Sequence, residues 1–306
     1  MSKYPRSVAS SINSFVEDIR KDPNYAVRTA QHYFEECTCV FKILQEHRPD
    51  ILPHNVTIED VNWLLLEMRD RGFAVSTQRG YVSALRQICT HYDNNTIVQK
   101  KIRWPQDMRP NVDWLTYEQA KTLLECPKTA NQDLIIHLEL CMGFRRCEVS
   151  RLQPKHILNN YVDVVGKGSM GGKMRSVPFH PRTADVFSRY DRYRKNLHSV
   201  AQERHRTPLD MPDRYLVYER AGRVYNYSEV KLTGLDKNLD PLKESLGFNF
   251  SNHTLRRTFG RTMYRSGVKV ATIAKLLGHE SEQSTLRYIG VDLDDMSDAM
   301  DIFSLR

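Results

Sequence analysis

Apolar residues recur at helical spacing through most of this chain. Between Tyr25 and Glu46, Ala30, Tyr33, Phe34, Cys37, Phe41 and Leu44 are arranged so as to share one side of a helix, which predicts a helix with one buried face. Thr57-Ile58-Glu59-Asp60 reads as an N-cap with an acid at N3, and the helix it opens runs to Gly72. Ser76-Thr77 opens another, with Tyr81, Leu85 and Ile88 on one face and Arg79 and Arg86 on others. Thr116-Tyr117-Glu118-Gln119 is a capping box ahead of Ala120, Leu123 and Leu124, and a helix from about Asn131 to Met142 ends near Gly143. The period then switches to two. Tyr161 to Val165 alternates with β-branched residues, Met174 to Phe179 does likewise, and Gly166-Lys167-Gly168-Ser169-Met170-Gly171-Gly172-Lys173 lies between them. Two strands around a glycine-rich loop predict a β-hairpin. Beyond it the chain reads as helical to its end, with one short strand at Tyr215 to Tyr218. The predicted fold class is mainly α with a small antiparallel β-hairpin in the C-terminal part.

At 306 residues the length suggests about two domains. The stretch from Gln99 to Pro110 holds two prolines, a basic cluster (Lys100, Lys101, Arg103) and little periodicity, so it reads as a linker. The expected division is 1–110, an N-terminal helical domain, and 111–306, a C-terminal domain. With 40% hydrophobic and 27% charged residues the chain is a folded protein rather than a disordered or fibrous one. Its apolar runs, such as Asn62 to Met68 and Leu134 to Met142, are too short for a membrane span. Met1 to Arg20 has no signal-peptide core. Six cysteines without zinc spacing read as reduced thiols used as small core residues, and a cytoplasmic compartment is expected. Lys and Arg exceed Asp and Glu by 45 to 37, a net charge of +8, which points to a polyanionic partner such as nucleic acid.

Four local features carry chemistry. They are Gly143-Phe144-Arg145-Arg146-Cys147-Glu148, the lysine hairpin, His253-Thr254-Leu255-Arg256, and Gly278-His279 followed nine residues on by Tyr288. Two arginines and two histidines converging on one spot would hold a phosphate, because arginine forks bind two of its oxygens at once. A tyrosine beside that phosphate could attack it as a covalent nucleophile, and a lysine on the hairpin could protonate a leaving oxygen. His253 and Arg256, three apart, share a helix face. Gly278 suits a helix end and Ser281 an N-cap.

At these residues the sequence resembles the tyrosine recombinase, or phage integrase, family, whose signature is an Arg in G-[LF]-R-x-x-E, a hairpin Lys, H-x-L-R, G-H and a Tyr about nine residues on. The helices at Tyr25 to Leu44 and Ser76 to Arg86 resemble the family's core-binding domain. The resemblance implies a two-domain clamp on double-stranded DNA and a homotetramer on two duplexes. It implies cleavage and rejoining through a 3′-phosphotyrosyl intermediate, without metal, ATP or other cofactor. It also implies a prokaryotic, viral or plasmid origin and a nucleoid-associated enzyme. Arg145 and Arg256 would clamp the scissile phosphate, and His253 and His279 would assist. Tyr288 would attack, Lys167 would protonate the leaving oxygen, and Glu148 would orient an arginine or His253. The hairpin loop is longer than the compact family pattern Gly-Lys-Gly-x-Lys-x-Arg, so Lys173 is an alternative general acid. Thr77, Arg79, Arg86, Lys100, Lys101 and Arg103 are candidate phosphate contacts. Met296, Met300 and Phe303 form an amphipathic face that could dock on a neighbouring protomer. The same chemistry serves type IB topoisomerases and hairpin telomere resolvases, which are expected to carry a large extra domain beyond the two read here, and so are disfavoured. A DNA-binding regulator on the same scaffold would not need the intact set of residues.

Overall fold

The computed structural model describes residues 5–105, 113–166, 172–220 and 226–290, and the chain divides into two compact units on either side of the 106–112 stretch. Lys167 and the Met296, Met300, Phe303 face lie outside the described residues.

The N-terminal unit packs α1 (Val8–Lys21), α2 (Val27–His47), α3 (Ile58–Asp70) and α4 (Val75–His91) around one core. Phe15, Phe41, Leu44, Leu64, Leu85 and Ile88 fill it. The first turn of α3 forms as its sequence predicts. The Thr57 hydroxyl accepts from the Asp60 N–H at 3.2 Å, and the Asp60 carboxylate accepts from the Thr57 N–H at 2.8 Å. One expectation is corrected. Phe34 is 38% exposed rather than part of the core face, since α2 turns it away from the Ala30–Cys37–Phe41 stripe. α4 opens as expected at the Ser76-Thr77 pair, one residue earlier at Val75 and with no side-chain cap.

The C-terminal unit is built from α5 (Tyr117–Glu125), α6 (Ala130–Ile136), α7 (Arg146–Arg151), α8 (Pro181–Glu203), α9 (Leu232–Leu246), α10 (Asn252–Arg265), α11 (Val270–Leu277) and α12 (Glu282–Ile289). α6 continues into one π-helical turn, His137–Cys141. Strands β1 (Tyr161–Val165) and β2 (Met174–Pro178) pair antiparallel from Tyr161↔Pro178 to Val165↔Met174, as the alternation predicts. The helical reading beyond that hairpin is corrected at one place. β3 (Val217–Arg220) overlaps the short strand expected at Tyr215 to Tyr218, and it pairs antiparallel with β4 (Asn226–Glu229), a four-residue strand in a stretch that reads as helical. The core of this unit runs through Leu134, Leu138, Phe144, Val162, Tyr190, Leu235 and Leu255.

The described cysteines are unpaired. Cys37 and Cys89 are core residues as expected, whereas Cys39 is exposed. Among the described residues no helix is long and apolar enough to cross a membrane.

Candidate active site

The segment into α7 builds the first part of the site. Gly143 adopts φ +67°, and a Cβ there would lie 2.4 Å from the Phe259 ring, so only glycine fits the turn. Phe144 is fully buried and anchors the turn, which leaves Arg145 as the N-cap of α7. Three residues on, Glu148 reaches back. Its Oε2 accepts from the Arg145 backbone N–H at 2.7 Å, and its Oε1 from Arg145 Nη1 at 2.9 Å. Arg145 Nη2 also donates to the Gly278 carbonyl at 3.0 Å. Arg146 points elsewhere, to Asp236 on α9.

α10 supplies the second arginine. Ser251 caps it by accepting from the Thr254 N–H at 3.1 Å, so His253 and Arg256 sit one turn apart. Arg256 is 1% exposed. Its guanidinium donates to the Gly143 and Leu277 carbonyls and lies 3.3 Å from His279 Nε2. α11 ends at Gly278 with φ +62°, and the His279 N–H closes the turn on the Ala274 carbonyl at 2.9 Å. His279 Nδ1 lies 3.0 Å from the Thr285 hydroxyl, which itself donates to the Ser281 carbonyl at 3.3 Å. This network assigns the proton to Nδ1 and the lone pair to Nε2, facing Arg256. Ser281 caps α12 through the Ser284 N–H. α12 then delivers Tyr288 between the two imidazoles. Its ring is edge-on to His253 at 5.3 Å and to His279 at 5.0 Å. The Arg256 and Arg257 guanidiniums lie 5.8 and 5.5 Å from its centroid.

Burial and charge set the protonation states. Burial alone would raise the Glu148 carboxyl, but hydrogen bonds and charge from Arg175, the Arg145 N–H and the Arg256 charge hold it below the usual carboxylate value. Burial pushes His279 down to about 4, and the charges of Arg256, Arg145 and Arg175 add to that. Arg256 falls to about 10, through burial and the neighbouring Arg145. Burial raises Tyr288 despite the opposing pull of Arg256 and Arg257. Its hydroxyl is buried and makes no hydrogen bond of normal geometry, although Arg256 is close enough to favour its ionised form. At neutral pH the site therefore holds an anionic Glu148, a neutral His279 and a protonated Tyr288 among arginines.

The structure brings Arg145, Glu148, His253, Arg256, His279 and Tyr288 into one cluster. Lys173 stands at its edge, its ammonium 2.7 Å from Glu280, next in sequence to His279, with both side chains largely exposed. Three neighbours escaped the sequence reading. Thr285 and Arg257 carry no local signal. Arg175 does, because it falls two residues after Lys173, as in the family's Lys-x-Arg pattern, and its guanidinium forks onto Glu148. No group of three or more His, Cys, Asp or Glu among the described residues is arranged to hold a metal ion.

The candidate phosphate contacts of the N-terminal unit divide. Arg79 donates to the Pro105 carbonyl at 3.1 Å and lies over the Trp104 ring, Arg86 donates to the Lys100 carbonyl, and Lys100 reaches Asn62. These three tie the 99–105 segment to the helices. Lys101 and Arg103 are exposed, and Thr77 is half-buried.

The chain is similar to known proteins along most of its length. The tyrosine recombinase XerC of Listeria monocytogenes is 24% identical over 295 residues, covering 90% of this chain and 91% of its own length. The tyrosine recombinase XerA of Saccharolobus solfataricus is 26% identical over 258 residues, covering 80% and 77%. The Tn1549 transposon integrase, solved in complex with transposon right end DNA, shares the fold, with a TM-score of 0.66 at 16% identity over 95% of this chain and 98% of that one. The profile of the phage integrase family matches residues 113–294, more than half of the chain and all of the cluster around Tyr288, and the chain belongs to that family of tyrosine recombinases.

Proposed function

We propose that this chain is a site-specific DNA recombinase that cuts and reseals duplex DNA through a phosphotyrosyl intermediate on Tyr288. The observation that carries the reading is the setting of that phenol, between two imidazoles and beside two guanidiniums. The Tyr288 oxygen attacks the scissile phosphorus, forming a phosphorus–oxygen bond to the 3′ side as the bond to the 5′ oxygen breaks. The phenolic proton passes to His253, and a hairpin lysine protonates the departing 5′ oxygen. Lys167 is the donor that the family pattern implies. Lys173, beside the residue that follows His279, is the alternative.

Negative charge grows on the phosphate oxygens in the transition state, so Arg145 and Arg256, held in place beforehand, stabilise it preferentially. His279 flanks Tyr288 and holds Arg256. An arriving phosphate offsets the arginine charges that depress its imidazole, and so favours its protonation and donation to the phosphate. The covalent link conserves the phosphodiester energy, so resealing needs no ATP. Exchange between two duplexes takes four such sites, hence a tetramer on DNA in the cytoplasm of a prokaryotic cell, at the nucleoid. The N-terminal domain, residues 1–110, would grip the core DNA with exposed Lys101 and Arg103, and residues 111–306 would be catalytic.

The test is a suicide substrate that traps the intermediate as a covalent protein–DNA band on a denaturing gel. Tyr288→Phe is expected to abolish the band and leave DNA binding nearly unchanged. A band that persists in Tyr288→Phe makes another tyrosine the nucleophile. Tight binding by the parent with no band favours a regulator.

A further inference from the structure

Arg175 on β2 has no part in the steps above, yet it ties Glu148 at one wall of the cluster to the end of α11 at the other. Its Nη1 and Nη2 donate to Glu148 Oε1 and Oε2 at 2.8 and 2.9 Å. Arg145 supplies two further donors to the same carboxylate, one to each oxygen. A carboxylate offers about four lone-pair sites, so these four bonds fill it. Arg256 Nη1 stands 3.7 Å from Oε2, an ion pair outside hydrogen-bond range, and donates to the Gly143 carbonyl instead. Without the Arg175 fork, two lone pairs of a buried anion would open beside Arg256, the cation that is paired with Glu148 but not yet hydrogen-bonded to it. Arg256 would turn into Glu148 and away from a phosphate.

The rest of the side chain holds the other wall. Arg175 Nε donates to the Leu276 carbonyl at 2.8 Å. A Cβ on Gly278 would lie 3.1 Å from Arg175 Cδ, so the arginine stem packs against the turn that carries His279. Lys173 lies two residues earlier, and the Gly166 N–H donates to its carbonyl at 2.9 Å, which continues the hairpin ladder. Positions i and i+2 share a strand face, so Arg175 also sets the side on which that lysine stands.

We infer that Arg175 is a positioning residue for strand cleavage: it saturates Glu148 so that Arg256 stays available to the phosphate, and it fixes the turn that carries His279. This rests on the recombinase reading. The experiment compares Arg175→Lys, which keeps the charge and loses the fork, with Arg175→Met, in single-turnover cleavage of a suicide substrate. Affinity for an intact site and thermal unfolding are measured alongside. A misplacement of about 1 Å costs on the order of 10²-fold in rate, so both variants are expected to lose roughly that much, while affinity stays within about threefold. The deficit is expected to persist on a 5′-bridging phosphorothiolate, whose sulfur departs without a proton donor. Parental rates in both variants overturn the inference. So does full recovery on the phosphorothiolate, which would make Arg175 a support for the lysine alone, and so does a loss of fold in both variants. If the parent forms no adduct, the recombinase reading falls separately. The positioning claim is then decided by NMR titration of His279 in Arg175→Lys, which keeps the charge and loses the fork: a titration displaced from the parent's is expected, and an unchanged one overturns it.

Discussion

Glu148 is the one anion among three arginines, and replacing it with Gln tests how the cluster is held. Its side chain is 0% exposed and accepts four hydrogen bonds, all from arginines. An amide keeps one oxygen and sets an NH₂ group against two N–H donors, so two charge-assisted bonds are lost. Each is worth about 1.5–3 kcal/mol, and breaking a buried ion pair on one side costs about 3–5 kcal/mol. Taking about 3–5 kcal/mol, a unit of this size should melt about 6–20 °C lower at neutral pH. The assay is thermal unfolding by circular dichroism without DNA, repeated across pH. The folded-state carboxyl titrates below its ordinary value of 4.5. Its stabilisation is therefore fully present above that value and lost as pH falls through the lower folded one. The gap between parent and Glu148→Gln should be widest at neutral pH and close in acid. A variant that melts within about 2 °C of the parent at pH 7, against the larger shift expected, or a gap that widens on acidification, would refute the reasoning.

Gly260→Ala would place a Cβ 2.9 Å from Ile289 Cγ2 and 3.3 Å from Leu277 Cδ1. Overpacking of about 1–3 kcal/mol is partly offset by about 1 kcal/mol of helix propensity. The melting temperature should shift little, while adduct formation falls about tenfold or more because Tyr288 precedes Ile289 on α12; a parental cleavage rate refutes this. Lys167→Ala should cleave slowly on a phosphodiester and recover on a 5′-bridging phosphorothiolate, with Lys173→Ala close to parental; the reverse pattern assigns the general acid to Lys173.

Local signals explain which features were legible. The capping boxes at Thr57 and Thr116 and the hairpin at Tyr161 to Pro178 form where short-range hydrogen bonding and alternation predict them. Ser281 and Gly278 delimit α12 and α11 as their residue types suggest. Where contacts across the fold decide, local reading falls short. Phe34 sits at helical spacing yet faces out, and β4, only four residues long, is held by its pairing with β3 in a stretch that reads as helical.

Arg175 marks the limit of that reading within the site. Its partners are 27 and 101 residues away in sequence, so no window of the chain contains them. The sequence by itself determined the order of the chemical groups and the local turns that present them, because caps, glycine turns and strand alternation are interactions of neighbours. Only the tertiary structure decided that Glu148 gathers three arginines, that His279 is neutral with its lone pair toward Arg256, and that Tyr288 lies between two imidazoles. Those outcomes depend on burial and on distances between segments far apart in the chain, where desolvation and charge act across the fold rather than along it.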